Sequence, residues 1–319
     1  MGKRRIRCLQ SLGYKEIVGI DPRRDRREET ERLYAIKTSE KVESIDISAI
    51  DAIIISTPPD KHLSYIEFAV SKNKPVFVEA SVILDGLETI NKVALTQGVL
   101  IAPSCTLRFH PAIKDIKQIV HSGFYGKVTN FTYHSGQYLP DWHPWENVKD
   151  FYVSQQETGG GREIVPFELT WIVDILGYPV DVQGLYGKTM NVGADIDDTY
   201  VVAMRFKSCY GSLLVDVVAR YAVRNLILNM EYGQILWNWD DGVVKLYDAN
   251  TCRWIYYHSP QGQSVAGYNK NLIEEMYIEE LYTFIDAVKG NGIFPNTLDD
   301  DIEILKLLER IERQTDGKR

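Results

Sequence analysis

The chain has 319 residues, of which 45% are hydrophobic and 25% are charged, and its formal net charge is −8 at pH 7. This length and composition are typical of a globular protein whose two domains each bury a core. The negative charge argues against a nucleic-acid partner, which would require a basic surface, and no apolar run approaches the roughly 18 residues of a membrane span.

The first predicted element is a helix that starts almost at the first residue. Its apolar stripe consists of Ile6, Leu9 and Leu12. Gly13 ends this helix, and residues 17–20 predict a strand that stops at Asp21. A highly charged helix comes next, with its polar side chains in solvent.

A dinucleotide-binding fold would begin differently, with a strand and a Gly-x-Gly-x-x-Gly turn. Here Gly2 alone matches, as the last glycine of that turn. The absent strand belongs in the middle of the sheet, so its loss would leave two apolar strands with open edges. We therefore expect that the sequence as given starts too late, at a methionine inside the original glycine turn. The alternative is a chain that compensates for the missing strand in another way.

Asp21 follows the lost turn by about twenty residues, which is the place of the carboxylate that binds the adenosine ribose and favours NAD. Arg23 and Arg24 keep NADP possible, because an arginine here accepts a 2′-phosphate. Alternatively, Asp21, Pro22 and Arg23 form a solvated turn.

A predicted β-α-β unit occupies residues 52–81. Residues 52–55 form an apolar run that suits a buried parallel strand, and Pro58 and Pro59 must end it because proline donates no ladder hydrogen bond. A helix and a second buried strand, residues 76–78, complete the unit. Ligands bind beyond the carboxyl ends of such strands, so the residues after each strand should face one crevice.

The remaining sequence predicts a second domain after a boundary near residue 104, giving domains 1–104 and 105–319. A helix over residues 107–122 opens it. Most of the later sequence is rich in β-branched and aromatic residues and predicts an antiparallel sheet, including one strand over residues 212–220. Two helices, over residues 272–289 and from about residue 299, close the chain.

Several of these segments together resemble the Gfo/Idh/MocA family of NAD(P)-dependent oxidoreductases. The segments are Thr57-Pro58-Pro59 with His62, Pro75 to Glu79, Arg108-Phe109-His110-Pro111, Gly126-Lys127-Val128 and Gly159-Gly160-Gly161. The resemblance implies an α/β fold: a Rossmann-like parallel sheet that lacks its first strand, then an α/β domain with a large, mostly antiparallel sheet. It also implies an NAD cofactor, with NADP possible. The implied cofactor-binding residues are Gly2, Asp21, Arg23, Ser56, Thr57, Pro58, Pro59, His62 and Glu79.

Two family positions that carry chemistry are altered. The family continues after Glu79 with a lysine that orients substrate near the nicotinamide, whereas Ala80 has no polar side-chain group. A histidine that acts as general acid and base is replaced by Phe167, and an aspartate by Thr170. Neither replacement exchanges a proton at neutral pH. Glu79 itself matches the family, although a strand-end carboxylate facing water is the alternative.

Glu163 and Glu168 remain as catalytic candidates near those altered positions. Glu168 lies in a largely apolar run, where a carboxyl group acquires a raised pKa and can act as a general base. The alternative is that Glu168 pairs with Arg162 or another cation and only holds the helix in place.

The candidate substrate-binding residues are better preserved. They are Arg108, His110, Tyr138, Asp141, Trp142 and His143. The last four lie in a loop that resembles one in a sugar-handling branch of the family, where carboxylate and imidazole groups bind hydroxyls and a tryptophan covers the apolar face of a pyranose. The alternative is a rigid, proline-braced surface loop.

Four cysteines, Cys8, Cys105, Cys209 and Cys252, lie far apart without metal-ligand spacing. They predict buried reduced thiols in a cytoplasmic protein, and no metal site is expected.

We therefore predict an oxidoreductase that transfers hydride between NAD(P) and a sugar or nucleotide-activated sugar. A catalytically inactive binding or scaffold protein is the first alternative, and a lyase or epimerase with tightly held NAD is the second. We also expect a homo-oligomer formed through the C-terminal sheet, with no nucleic-acid or membrane partner.

Overall fold

The computed structural model describes residues 1–142, 147–258 and 273–316, and the chain forms two compact units. The first unit comprises residues 1–79, 85–104 and 277–299, and the second comprises residues 80–84, 105–276 and 300–319. Residues 277–299 belong to the first compact unit.

Helices and strands are numbered in chain order. The helices are α1 (Gly2–Ser11), α2 (Arg24–Tyr34), α3 (His62–Ser71), α4 (Leu87–Gln97), α5 (Pro111–His121), α6 (Gly161–Leu176), α7 (Glu274–Val288) and α8 (Leu298–Asp316). The strands are β1 (Val18–Ile20), β2 (Lys37–Ser39), β3 (Ile53–Ile55), β4 (Val76–Val78), β5 (Ile101–Pro103), β6 (Val128–Tyr138), β7 (Asp181–Gly187), β8 (Thr199–Arg205), β9 (Tyr210–Asp216), β10 (Val218–Met230), β11 (Gly233–Asn238), β12 (Val243–Asp248) and β13 (Arg253–His258).

In the first unit the parallel strands form two separate sheets. β1 pairs with β2, and β3, β4 and β5 form the other sheet in that order, with β3–α3–β4 as the predicted β-α-β unit. Ile53 donates to Pro75 and Ile55 accepts from Glu79, so the backbone of Ile54 points away from β4. Among the described strands none pairs with that edge of β3.

The first helix forms as predicted, but its buried face is not the predicted one. Arg4, Arg5 and Cys8 are buried. The apolar stripe proposed from the sequence is only half-buried. The prediction was wrong because the buried arginines are matched by acidic and aromatic partners far away in the chain.

The second unit is built on an eight-stranded sheet in the order β13-β12-β11-β10-β6-β9-β8-β7. β6 and β9 pair in parallel, and the other neighbouring strands are antiparallel. The single strand predicted over residues 212–220 is wrong, because the chain leaves β9 after Asp216 and begins β10 at Val218. α5 and α6 contribute to the same hydrophobic core as this sheet.

The predicted fold class is confirmed: small parallel sheets are followed by a large, mostly antiparallel sheet. The helix predicted over residues 107–122 begins later, at Pro111, after a 3-10 turn at Thr106–Phe109. Three of the cysteines are buried free thiols, but Cys252 is exposed. Within the described ranges, no helix combines the length and apolarity needed to cross a membrane.

Candidate functional site

The predicted cofactor-binding residues of the first unit other than Asp21 and Arg23 gather at the carboxyl ends of β3 and β4. A 3-10 turn, Pro59–Lys61, joins the end of β3 to α3, and Pro59 is buried. α1 begins beside this turn, since a Cβ placed on Gly2 would lie 3.8 Å from the Cβ of Ser56. The Ser56 hydroxyl donates to Glu79 Oε1 at 3.3 Å, which connects the two strand ends.

Two polar atoms in this turn are buried without a hydrogen-bond partner among the described residues, Thr57 Oγ1 and His62 Nδ1. The other imidazole nitrogen of His62 lies 2.9 Å from the Thr57 carbonyl oxygen. Because a carbonyl only accepts, Nε2 carries the proton and Nδ1 is a free acceptor. Burial lowers the pKa of His62, so the ring is neutral at pH 7. Buried polar atoms of this kind require a ligand or water, which fits a site for a polar cofactor.

Glu79 does not face water as an isolated strand-end carboxylate. Arg5 Nε donates to its Oε1 at 2.6 Å and Arg5 Nη2 donates to its Oε2 at 2.9 Å. Burial alone would raise the pKa of Glu79, but the charge and hydrogen bonds of Arg5 outweigh it and leave the pKa below its ordinary value. Glu79 is therefore an oriented anion.

Asp21 and Arg23 lie in the turn between β1 and α2. Asp21 Oδ1 accepts from the backbone N–H of Arg23 at 2.8 Å, so the side chain organises its own turn. The exposed Arg23 guanidinium donates to Asp25 at 2.6 Å. Both the ribose-binding interpretation and the solvated-turn interpretation of Asp21 are compatible with this geometry.

In the second unit, the three consecutive glycines form the tight turn that starts α6. A Cβ on Gly159 would collide with the carbonyl oxygen of Val153. Gly160 has a φ of 68°, a backbone conformation that favours glycine. This close packing brings the first turn of α6 against the 3-10 turn Tyr152–Ser154.

Glu163 lies in that first turn of α6 and is only half satisfied. The Tyr152 hydroxyl donates to Glu163 Oε1 at 2.6 Å. Glu163 Oε2 is sealed from solvent and has no partner among the described residues. Although other atoms of the residue keep some exposure, burial of the carboxyl group raises its pKa to about 7. A carboxyl group with this proton affinity can both accept and donate a proton at neutral pH.

Glu168 is completely buried and fully satisfied. Its Oε1 accepts from Ser135 Oγ and Arg224 Nε, each at 2.8 Å, and its Oε2 accepts from Tyr133 Oη at 2.8 Å and Trp171 Nε1 at 3.0 Å. The cation that pairs with it is thus Arg224, whereas Arg162 pairs with Glu312 at 2.8 Å. Four donors, one of them a guanidinium, thus hold the Glu168 carboxyl group in place.

The two altered positions on α6, Phe167 and Thr170, make internal contacts. Phe167 packs against the core of the second unit. The Thr170 hydroxyl donates to the Pro166 carbonyl at 2.8 Å, one helical turn back. After Glu79, Ala80 is half-buried and Ser81 is buried.

Arg108 and His110 have internal partners. Arg108 Nε donates to the Thr170 carbonyl at 3.1 Å, and its guanidinium lies 3.7 Å from Asp174. His110 Nδ1 accepts from the N–H of Ala112 at 3.2 Å and so caps α5. Burial, with the charge of Arg224 adding to it, lowers the pKa of His110 to about 4.

The sugar-like loop is described only in part. The Arg220 guanidinium carbon lies 3.9 Å from the ring centroid of Tyr138, and Asp141 is exposed. Trp142 Nε1 is a buried donor without a partner in the described part of the chain. His143 lies outside the described residues.

Sequence reasoning missed Arg5, Glu280, Tyr152 and Arg224. Arg5, Glu280 and Arg224 each contact a residue that is distant in the sequence. Tyr152 lies nearer in the sequence to its partner, Glu163. The one local signal was the pair of arginines in α1, because a buried face with two arginines demands acidic partners.

Residues 113–236 match the family model described as the GFO/IDH/MocA C-terminal domain, so the predicted resemblance is confirmed. An oxidoreductase from Agrobacterium radiobacter, solved with NAD+, L-tartaric acid and magnesium, is similar with a TM-score of 0.86 and 14% identity over 100% of this chain and 94% of that chain. A levoglucosan dehydrogenase in complex with NADH and levoglucosan has a TM-score of 0.83 and 15% identity, covering 100% of this chain and 95% of its own.

A third similar structure is a UDP-N-acetylglucosamine 3-dehydrogenase from Acidithiobacillus ferrooxidans. Its TM-score is 0.76 and its identity 15%, over 99% of this chain and 94% of that chain. At these identities the likeness establishes the fold. Among curated proteins, none matches the sequence.

Proposed function

We propose that this chain, whose residues 113–236 are a GFO/IDH/MocA C-terminal domain, is an NAD-dependent oxidoreductase that acts on a sugar or a nucleotide-activated sugar. The observation that carries the proposal is the pair of buried polar atoms without partners among the described residues, Thr57 Oγ1 and His62 Nδ1, at the carboxyl end of β3. Dinucleotides bind in this place in parallel α/β sheets. Structures of similar fold contain NAD+ or NADH.

Thr57 and His62 would hold the cofactor by hydrogen bonds, and Asp21 would bind its adenosine ribose. A bound nicotinamide would accept hydride from a carbinol carbon of the sugar. In this proposal Glu163 takes the proton of the reacting hydroxyl, because its Oε2 has no partner among the described residues and its pKa is about 7. Glu168, the residue favoured by the sequence, instead holds the sheet and α6 together through its four donors.

The first test is binding and reduction of NAD+ by the purified protein. We expect calorimetric binding of NAD+ and formation of NADH with at least one member of a panel that includes levoglucosan and UDP-N-acetylglucosamine. If the protein binds one of these sugars and NAD+ but never reduces the cofactor, it is the catalytically inactive binding protein. The replacements Ala80 and Phe167 favour this alternative. Absence of NAD+ binding would overturn the proposal.

The second test concerns cofactor preference. A carboxylate near a 2′-phosphate is repulsive, so the protein should bind NAD+ more tightly than NADP+, and Asp21→Ala should narrow the difference. Tighter NADP+ binding by the unmodified protein would show that Arg23 and Arg24 decide the preference.

We further propose that the protein forms a homo-oligomer through the open face of its large sheet. Val201 on β8 and Ile227 on β10 are exposed, with fractional exposures of 47% and 38%. Apolar side chains on a broad sheet face favour association. In analytical ultracentrifugation we expect the wild type to sediment as a dimer or tetramer. The double variant Val201→Lys/Ile227→Lys should sediment as a smaller species. A monomeric wild type would contradict the proposal.

A further inference from the structure

Arg5, near the start of α1, is the cation at the centre of a buried polar cluster in the first unit. Its side chain is 2% exposed. Besides its two bonds to Glu79, it donates through Nη1 to Glu280 Oε2 at 2.8 Å and through Nη2 to Ser104 Oγ at 3.3 Å. One guanidinium therefore serves two carboxylates that come from β4 and α7.

Other charged or titratable groups face the same cluster. They are the Met1 amino group just before α1, Arg4 on α1, His62 on α3, and Tyr277 on α7. The rings of Phe77 and Tyr277 lie 4.5 and 5.2 Å from the Arg5 guanidinium carbon and exclude water from it. His62 is neutral at pH 7, so the permanent cations of the cluster are arginines.

The cluster would behave differently without Arg5. Two enclosed carboxylates near each other do not both ionise at neutral pH, because burial and their mutual repulsion raise the pKa of at least one. Arginine remains charged at every accessible pH, and its planar fork fits a carboxylate through two parallel hydrogen bonds. The bidentate contact with Glu79 thus fixes both the charge and the orientation of that side chain.

We propose that Arg5 is a positioning residue of the cofactor site: it holds Glu79 as an oriented anion at the end of β4 and thereby makes cofactor binding independent of pH in the neutral range. The inference rests on the proposed function, in which the carboxyl ends of β3 and β4 bind NAD+. A carboxylate there attracts the positively charged oxidised nicotinamide, so any protonation of Glu79 weakens binding.

The test measures NAD+ affinity from pH 7 to pH 9 in the full-length protein. The NAD+ affinity of the wild type should change less than twofold over this range. Arg5→Gln should bind NAD+ about tenfold more tightly at pH 9 than at pH 7, since a change of one pKa unit corresponds to a factor of ten. Arg5→Lys keeps the charge and should restore most of the flat profile. Arg5→Gln combined with Glu79→Gln lacks the Glu79 carboxyl but keeps Glu280, so it should bind NAD+ weakly and change with pH less than the Arg5→Gln single variant does. A flat profile for a folded Arg5→Gln single variant would overturn the proposal.

A second measurement needs neither a variant that folds nor a bound cofactor. In wild-type protein with ¹³C-labelled glutamate, the Glu79 carboxyl should titrate below its ordinary value of 4.5. Titration of Glu79 near neutral pH would overturn the proposed role of Arg5. If the wild type binds no NAD+, the proposed function fails, and this titration alone decides whether Arg5 keeps Glu79 ionised.

Discussion

Glu163 and Glu168 lie five residues apart on α6, and both carboxyl groups are enclosed by protein. Glu168 accepts four hydrogen bonds, one of them from a buried guanidinium. Glu163 accepts one, from Tyr152, and its second oxygen has no partner in the described part of the molecule. Burial alone therefore does not prepare a carboxyl group for proton transfer. The carboxyl group also needs an oxygen without a donor, as Glu163 Oε2 is among the described residues.

The largest expected difference between the two residues is in stability. Glu168→Gln removes one charge of the buried Glu168–Arg224 pair, and removing one partner of such a pair costs about 3–5 kcal/mol. At pH 5 Glu163 is protonated in the folded protein, so Glu163→Gln keeps the Tyr152 contact and removes no charge, and we expect a change within about 1 kcal/mol. Urea unfolding of both variants at pH 5 measures the difference. Equal losses of stability in the two variants would contradict the different roles of Glu163 and Glu168.

The next effect concerns the pH dependence of stability. The pKa of Glu163 is raised from its ordinary 4.5 to about 7 in the folded protein, so the folded state binds the extra proton. Its contribution to the free energy of unfolding is complete below pH 4.5 and is lost as the pH rises to 7, by up to about 1.4 kcal/mol per pH unit.

The matched control for this effect is Glu163→Gln. Asp301, whose pKa burial also raises to about 7, contributes equally to both proteins and cancels in the difference. Between pH 5 and pH 8 the wild type should therefore lose more unfolding free energy than the variant. Parallel curves for the two proteins would show that Glu163 has an ordinary pKa.

The smallest expected effect sharpens the account of Glu168. Tyr133→Phe removes one of its four donors, and a hydrogen bond to a charged group contributes about 1.5–3 kcal/mol. The remaining three donors still hold the carboxyl group, so this variant should fold and keep its activity. Tyr210→Phe, an exposed tyrosine on β9, is the control and should change stability by less than about 0.5 kcal/mol. Equal stability of both variants would contradict the account.

Local patterns predicted much of the fold, because they depend only on neighbouring residues. The apolar run at Ile53–Ile55, the two prolines after it and the helix beyond them defined the β-α-β unit correctly. The buried face of α1 was wrong because Arg5 is stabilised by Glu79 and Glu280, 74 and 275 residues away. The strand break after Asp216 was missed because valines continue on both sides of it, Val215 before it and Val217 and Val218 after it.

The candidate site was predictable only in part for the same reason. The turn Ser56 to Pro59 could be placed at a strand end from the sequence. The different surroundings of Glu163 and Glu168 could not be predicted, because three of the four donors to Glu168 come from β6 and β10 and leave no local signal.

The central claim, that Glu163 and not Glu168 exchanges the substrate proton, is tested most directly by single-turnover reduction of bound NAD+ by a reactive sugar. Glu163→Gln should slow this step by about 10² to 10⁴, the usual contribution of a general base, while NAD+ and sugar affinities stay within about twofold. The wild-type rate should rise with pH around pH 7, as the carboxyl of Glu163 loses its proton. A Glu163→Gln variant as fast as the wild type, or a folded Glu168→Gln variant that binds both ligands but does not turn over, would contradict the account.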